Sequence, residues 1–153
     1  MGVEGGQVTT PLDDLDDFAA LDPFFRIIEQ GLAGFVDGQH FFDLLAEDVI
    51  FDFVISVPGY PRRVVGRPAL AELYRGYGRN LVLQSADELV VHRDREASVL
   101  VLEYAVHGQV VGTGQTYDNH LVSVVTIQNR KVAHWRDYLD PVAVFNALGW
   151  PAL

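Results

Sequence analysis

The chain has 153 residues, the size of one ordinary domain, and 49% of them are apolar and 21% charged, as in a soluble globular protein. It contains no cysteine, which excludes disulfides, thiolate nucleophiles and cysteine-based metal sites. The formal charge of −10 repels phosphate, so we expect neither nucleic acid nor an anionic membrane surface as a partner. A signal-peptide pattern and a long apolar run are both lacking, so we expect a cytoplasmic protein. Ten arginines against one lysine indicate a GC-rich bacterial genome.

The first part of the chain has the pattern of a tail followed by a helix. Residues 1–11 are rich in glycine and aperiodic, so we expect a disordered tail there and a single domain over 12–153. Asp22 and Pro23 match the preferences of a helix N-cap and first helical position. Apolar residues then recur at helical spacing and predict an amphipathic helix over 23–36.

The remainder of the chain changes from helices to strands. Helices that precede a run of antiparallel strands predict an α+β fold, with a curved sheet packed over the helices. Such a sheet forms a cone whose open end is a natural pocket for a small molecule. The expected elements are a short helix through Phe41–Leu45, a strand over Val49–Ile55, a loop over Pro58–Arg63, a helix over 68–76, strands over Leu81–His92, Ser98–His107, Gln115–Ile127 and Lys131–Leu139, and a closing helix over Val142–Leu148.

Three stretches of sequence, taken with this element order, resemble a known family. They are Leu45–Phe53, Pro58–Leu70 and Val132–Pro141, the last containing Trp-Arg-Asp-Tyr. They resemble the SnoaL-like polyketide cyclase and limonene epoxide hydrolase branch of the nuclear transport factor 2-like superfamily, from about residue 23 onward. The resemblance implies a cystatin-like cone: a curved, mostly antiparallel sheet wrapped over N-terminal helices, with a short C-terminal helix.

The resemblance implies a catalytic role for Asp137, which stands where the epoxide hydrolase has a catalytic aspartate. The other polar positions of that hydrolase fall on Tyr104, Val106, Phe51 and Phe53. The oxyanion tyrosine that ketosteroid isomerase carries on its first helix has no counterpart in the first predicted helix. In polyketide cyclases an acidic residue removes a proton next to a carbonyl group, a step that Asp137 alone can perform.

Side-chain alternation along the strands sorts residues between the two faces of the sheet. If Asp137 faces the cavity, Ala133 does so too, and a three-residue turn over Gln128–Arg130 places Leu121 opposite Asp137 and Ser123 opposite Trp135. The residues expected to bind substrate on this mostly apolar inner face are Trp135, Tyr104, Asn119, Phe51, Phe53, Leu121 and Tyr117, together with Tyr60 from the loop.

A lone carboxyl group among apolar side chains is suited to act as a general base. Burial disfavours its charged form and raises the pKa of Asp137 toward neutral pH, and Tyr104, Tyr117 and Asn119 are expected to donate hydrogen bonds to a developing enolate. The alternative is that Asp137 forms an ion pair with a loop arginine, Arg62 or Arg63. Tyr104 and Asn119 are alternatively satisfied polar groups within the sheet.

The Pro58–Arg63 loop has two interpretations. As a lid over the cavity, it would bring Tyr60 to the ligand and Arg62 to an acidic substrate group. As an ordinary solvent-exposed turn, it would do neither.

The opposite face of the sheet collects His107, His120 and His134, with Glu103 and Asp52. None of the short metal-binding spacings, such as His-x-His or His-Glu-x-x-His, occurs, so we expect no metal site. This outer face is instead expected to form the contact of a homodimer. Asp52 is kept as a site candidate, because a bulge in the first strand would turn it inward.

These observations give one principal hypothesis and two alternatives. The principal hypothesis is an isomerase or cyclase without a cofactor, which acts on an apolar, carbonyl-bearing ring compound with Asp137 as general base. The first alternative is a non-catalytic dimeric domain that binds a small apolar ligand. The second is hydrolysis of an epoxide-type electrophile by water that Asp137 activates and that Tyr104 and Asn119 hold.

Overall fold

A computed structural model describes residues 15–151, which form three α-helices, two 3-10 helices and six strands. The tail expected over residues 1–11 lies outside the described residues. The 3-10 helices are Leu15–Leu21 and Phe41–Leu44, and the α-helices are α1 (Asp22–Leu32), α2 (Arg67–Asn80) and α3 (Pro141–Leu148). The strands are β1 (Leu45–Ile55), β2 (Arg63–Val65), β3 (Leu81–Asp94), β4 (Val99–Val110), β5 (Thr116–Gln128) and β6 (Lys131–Leu139).

The six strands form one open sheet in the order β2-β1-β6-β5-β4-β3. Strands β1 and β6 run parallel, and the other neighbouring pairs are antiparallel. Helix α1 packs on β3 and β4, and α3 packs on β5. The predicted α+β fold with a mostly antiparallel sheet is confirmed. None of the helices within residues 15–151 combines the length and the hydropathy needed to cross a membrane.

The two predicted helix starts differ in outcome. Asp140 caps α3 as expected, since its Oδ1 accepts a hydrogen bond from the backbone nitrogen of Val142 at 3.0 Å. Asp22 does not cap α1, because the preceding 3-10 helix brings Leu21 to the N-cap position and places Asp22 inside the first turn. The helix also ends at Leu32 rather than at residue 36, because the next residue is already extended.

Helix α2 continues four residues past its predicted end at residue 76. Glycine at 76 and 78 does not terminate it, because Gly78 fits a close approach to the first 3-10 helix: a Cβ there would lie 3.4 Å from the Cβ of Ala20. The Asn80 side chain also donates a hydrogen bond to the oxygen of Gly76 at 3.3 Å. This additional turn carries Tyr77 to the interior side of the sheet.

The turn between β5 and β6 contains two residues, Asn129 and Arg130, rather than the three expected. Both have positive φ angles, 53° and 64°, as in the tight turns that join antiparallel strands. Gln128 therefore pairs with Lys131, and a bulge follows at Thr126 and Ile127.

The turn and the bulge together shift the predicted pairing of β5 with β6 by two residues. Ser123, rather than Leu121, lies opposite Asp137. A shift of two keeps the residues outside the bulge on their expected face, since side chains alternate with period two. Only Ala133 is misplaced: it falls in the bulge and is half-buried, whereas Val132 is fully buried.

The core between the helices and the sheet is largely aromatic. Phe25 stacks on Phe41 with ring centroids 4.8 Å apart, and Phe51 stacks on Trp135 at 5.0 Å with the rings nearly parallel. All four side chains are at most 1% exposed. Aromatic pairs of this kind stabilise a core beyond their buried area, and here they form a rigid base for the cavity.

Candidate functional site

A cavity of about 130 Å³ opens between the sheet and α2 and α3. An apolar cavity of about 150 Å³ in another protein binds benzene, so this space holds one small ring. Most of the lining is apolar or aromatic, and Asp137 is its only charged member among the described residues. The lining residues are Leu21, Phe24, Phe53, Tyr60, Tyr74, Tyr77, Asn80, Leu81, Leu83, Val106, Tyr117, Leu121, Asp137, Leu139, Val144 and Leu148.

One oxygen of the Asp137 carboxyl group is anchored and the other is free. Oδ1 accepts hydrogen bonds from the Ser123 hydroxyl at 2.6 Å and from the indole nitrogen of Trp135 at 2.9 Å. No described residue donates a hydrogen bond to Oδ2. The side chain is 6% exposed and lines the cavity, so a buried carboxyl group with one unbonded oxygen forms part of a mostly apolar wall.

A second hydroxyl supports this anchor. The Tyr104 hydroxyl lies 2.8 Å from Oγ of Ser123. Because Ser123 uses its only proton toward Asp137, Tyr104 must donate to Ser123. Three side chains from β4, β5 and β6 thus form a chain of hydrogen bonds that ends on Oδ1 and fixes the direction of the carboxyl group.

Burial raises the pKa of Asp137 above its usual range, and the hydrogen bonds from Ser123 and Trp135 oppose that shift. The alternative of an ion pair with a loop arginine is not observed, since Arg63 pairs with Asp52 at 2.6 Å. Within residues 15–151, no lysine or arginine forms a salt bridge with Asp137. The carboxyl group therefore lacks a compensating cation and is an ionisable group of raised basicity.

Five of the residues predicted for the site line the cavity, namely Asp137, Phe53, Leu121, Tyr117 and Tyr60. The last of these comes from the loop between β1 and β2, and its ring stacks on Tyr77 with centroids 5.6 Å apart. The loop therefore places Tyr60 at the wall of the cavity.

Three predicted lining residues lie behind the cavity wall instead, namely Trp135, Phe51 and Tyr104. Trp135 lies under the carboxyl group, where its indole donates to Asp137 and its ring stacks on Phe51. Tyr104 points its hydroxyl at Ser123. These side chains therefore support the cavity wall rather than line it, because the face of a strand does not determine how deep each side chain lies.

Asn119 is also absent from the lining, although it is 2% exposed. Its Nδ2 donates to the Tyr117 hydroxyl at 2.8 Å and to the oxygen of Asp140 at 3.2 Å. Its Oδ1 accepts from the backbone nitrogen of Asp140 at 3.1 Å. The side chain therefore ties β5 to the start of α3, which agrees with the structural interpretation of Asn119.

The two remaining candidates lie away from the cavity. Asp52 lies on the outer face, where it accepts hydrogen bonds from Arg63 and from His134. These bonds, the one from Arg63 above all, lower the pKa of Asp52 to about 2. The bulge that would have turned it inward occurs elsewhere in β1, between Leu45 and Ile50 and beyond Phe53. Arg62 has an exposed side chain and does not line the cavity.

The outer-face histidines engage carboxylates. His107 contacts Asp118 at 2.6 Å and Asp87 at 2.9 Å, and these two acids raise the pKa of His107. Asp87, Glu88 and His107 also offer ligand atoms within 4.8 Å of one another. Both ring nitrogens of His107 are already in hydrogen bonds with acids, so this cluster is satisfied without an ion.

Two tyrosines of the lining, Tyr74 and Tyr77, were not predicted from the sequence. They are three residues apart on α2, the spacing of one helix face, and both point toward the sheet. Tyr74 could have been predicted to face the sheet, because it lies in the predicted helix on the same face as the apolar Leu70. Tyr77 lay beyond the predicted end of that helix.

The buried tyrosines remain protonated near neutral pH. Burial is the main reason that the pKa values of Tyr74, Tyr104 and Tyr117 are raised, and the negative charge of Asp137 raises each of them further. The pKa of Tyr117 is raised to about 12. Each hydroxyl is therefore a neutral hydrogen-bond donor near the carboxyl group.

The amino-acid sequence was compared with protein families and with individual known proteins. The chain matches no protein-family model. It is 26% identical over 113 residues to YesE, an uncharacterized protein of Bacillus subtilis (strain 168). The matched residues make up 74% of this chain and 77% of that protein.

Similar folds occur in three solved structures. A proposed isomerase from Bacillus subtilis has a TM-score of 0.69 and 22% identity, over 94% of this chain and 96% of that one. A nuclear transport factor 2-like protein from Burkholderia xenovorans has a TM-score of 0.57 and 20% identity, over 91% of this chain and 95% of that one. A proposed polyketide cyclase from Pseudomonas putida has a TM-score of 0.58 and 23% identity, over 81% of this chain and 91% of that one. At sequence identities of 20–23%, the similarity to these structures shows the fold alone.

Proposed function

Because this chain has the nuclear transport factor 2-like fold, whose cone holds one cavity carboxyl group here, we propose that it is an isomerase or cyclase that needs no cofactor. Its substrate is an apolar ring compound that carries a carbonyl group. The observation that carries the proposal is that Asp137 lines an apolar cavity and that its Oδ2 accepts no hydrogen bond from any described residue. Solved structures of similar fold that are described as an isomerase and a polyketide cyclase support it.

The proposed reaction begins with proton transfer from carbon to Asp137. Oδ2 takes a proton from the carbon next to the carbonyl group, and the C–H bonding pair forms an enolate. In an isomerase, Asp137 returns the proton to another carbon of the enolate. In a cyclase, the enolate carbon attacks a second carbonyl carbon of the same molecule, and the proton passes to the alkoxide that results. A raised pKa makes the carboxylate a stronger base for this step.

The epoxide-hydrolase alternative has less support. It requires Tyr104 and Asn119 to hold a water molecule, whereas both side chains are hydrogen-bonded within the protein and absent from the cavity lining. The non-catalytic alternative uses the same cavity without a proton transfer, so an assay of proton transfer separates it from the proposal.

The proposal extends to location and assembly. A cytoplasmic homodimer joined through the outer face fits the paired charges of that face. Sedimentation distinguishes this dimer from a 17.0 kDa monomer.

The experiment that tests the proposal follows deuterium incorporation from deuterium oxide into ring ketones. Cyclohexanone, 1-indanone and 1-tetralone are apolar ring ketones of increasing size that carry exchangeable protons next to the carbonyl group. Wild-type protein is expected to accelerate incorporation at that carbon above the rate in buffer, as measured by proton NMR. Binding of the ketones without any acceleration would contradict the proposal and favour the non-catalytic domain.

Removal of the Ser123 hydroxyl is expected to move the pH dependence of exchange to higher pH. The hydrogen bond from Ser123 stabilises the charged carboxylate and lowers the pKa of Asp137. In Ser123→Ala, Asp137 therefore stays protonated up to a higher pH, so the rate falls severalfold on the acidic limb and is kept on the alkaline plateau. The Ser85→Ala variant, which removes the hydroxyl of an exposed serine on β3 away from the cavity, is the control. An acidic limb at the same pH in Ser123→Ala and wild type would count against the base assignment.

A further inference from the structure

One buried hydroxyl group of the cavity forms no hydrogen bond with any residue of the described range, 15–151. Tyr74 lines the cavity and is 4% exposed. No described residue donates to or accepts from its hydroxyl group. The hydroxyls of Tyr104 and Tyr117 differ, since Tyr104 donates to Ser123 and Tyr117 accepts a hydrogen bond from the Asn119 amide, which leaves the Tyr117 oxygen, though not its proton, with a partner.

A buried polar group without a partner is unusual. Native proteins satisfy nearly all such groups, and each exception calls for a specific reason, such as a ligand. Tyr74 is surrounded by aromatic rings, with Phe24 at 5.8 Å and Phe41 at 5.9 Å between centroids. The phenylalanine rings offer no acceptor, and the neighbouring Tyr77, 5.8 Å away between centroids, forms no hydrogen bond with Tyr74, so the cavity is the side from which an acceptor can come.

The other polar groups of the lining are less suited to this role. Tyr77 is half-buried, so water can satisfy its hydroxyl group. Tyr60 is likewise half-buried, on the loop. The Asn80 amide already donates to the oxygen of Gly76. Tyr74 is the fully buried tyrosine of the lining whose hydroxyl remains unpaired among the described residues.

We infer that the Tyr74 hydroxyl donates a hydrogen bond to the carbonyl oxygen of the bound compound and so selects ligands that carry a carbonyl group beside the ring. The inference rests on the proposed function for the class of compound. The acceptor replaces the missing partner of a buried donor, and the packed rings around Tyr74 hold that donor in one direction. A ligand of the same shape without the carbonyl group leaves the hydroxyl unpaired and gains nothing from it.

A matched pair of ligands and a matched pair of variants test the inference. 1-Indanone and indane differ by the carbonyl group, and Tyr74→Phe removes only the hydroxyl group. Calorimetric titration is expected to show that Tyr74→Phe weakens binding of 1-indanone about fivefold, the range for one neutral hydrogen bond, and leaves binding of indane unchanged. The control is Tyr138→Phe, at a half-buried tyrosine of β6 that does not line the cavity, and it is expected to keep the affinity of wild type for both ligands.

The infrared carbonyl band of bound 1-indanone gives a second readout, which is available in the wild type alone. The band is expected at lower frequency than in an apolar solvent, and Tyr74→Phe is expected to move it back. Equal affinity of wild type and Tyr74→Phe for 1-indanone, or a wild-type band at its position in apolar solvent, would overturn the inference.

The outcomes for Tyr74 and for the proposed function are distinguishable. Deuterium exchange that depends on Asp137, with ketone binding indifferent to Tyr74→Phe, would overturn the inference and keep the function. A Tyr74-dependent preference for the ketone without any exchange would keep Tyr74 as the carbonyl donor of a binding domain and overturn the catalytic proposal.

Discussion

Asp137→Asn is expected to lower the rate of deuterium exchange by about 10² to 10⁴-fold, the range in which a positioned general base contributes. The amide is nearly the same size as the carboxyl group, and its oxygen can still accept the hydrogen bonds from Ser123 and Trp135. What the variant lacks is a group basic enough to take a proton from carbon. Proton NMR of ketone exchange measures the loss, and exposed Asp118→Asn on the outer face is the matched control, expected to exchange at the wild-type rate.

The same substitution is expected to raise thermal stability at neutral pH. Burial raises the pKa of Asp137 in the folded protein, so its contribution to stability is largest below the pKa of the unfolded chain. That contribution is lost as pH rises through the folded pKa. Asp137→Asn removes this loss, and its advantage in Tm over wild type should shrink as pH falls toward 4. An inactive variant with a lower Tm at pH 7 would instead indicate that Asp137 serves folding.

Gly108→Ala is expected to destabilise the protein by about 3 kcal/mol or more. A Cβ at Gly108 would lie 2.2 Å from the carbonyl oxygen of Val82 and 2.8 Å from Cα of Leu83. Both contacts are with backbone on the neighbouring strand, so they cannot be relieved by a rotamer change, and overpacking of this kind is costly. The close approach coincides with the bulge in β3 between Leu83 and Ser85.

Gly76→Ala is the matched control for Gly108→Ala. Gly76 lies inside α2, and nothing comes within 4 Å of a Cβ built there. Alanine favours a helix interior over glycine by about 0.5–1 kcal/mol, so this variant is expected to gain stability. Chemical denaturation measures both variants. Equal stabilities for Gly108→Ala and wild type would show that β3 and β4 can separate at this point.

The sequence predicted the fold and the face of most strand residues because both follow from local periodicity. The bounds of β6, Lys131–Leu139, and the Asp140 cap match the prediction. The placement of Asp137 on the inner face holds although the register of β5 with β6 is shifted by two residues. Alternation has a period of two, so an even error leaves the faces unchanged.

The hydrogen-bond partners of the site could not be predicted in the same way. The bond from Ser123 to Asp137 depends on the true register and therefore on the bulge near residue 126. The hydroxyl of Tyr104 is used inside the protein and that of Tyr74 is not. That difference arises from contacts between distant elements, which periodicity does not contain.

A crystal structure of the wild-type protein with bound 1-indanone tests the central claim most directly. The carbon next to the carbonyl group is predicted to lie about 3–3.5 Å from Oδ2 of Asp137, with Oδ1 still bonded to Ser123 and Trp135. The carbonyl oxygen is predicted to lie within hydrogen-bond distance of the Tyr74 hydroxyl. A ketone bound with its ring against Asp137 and its acidic carbon turned away, or an Asp137 that rotates to an arginine, would contradict the assignment of this carboxylate as the base.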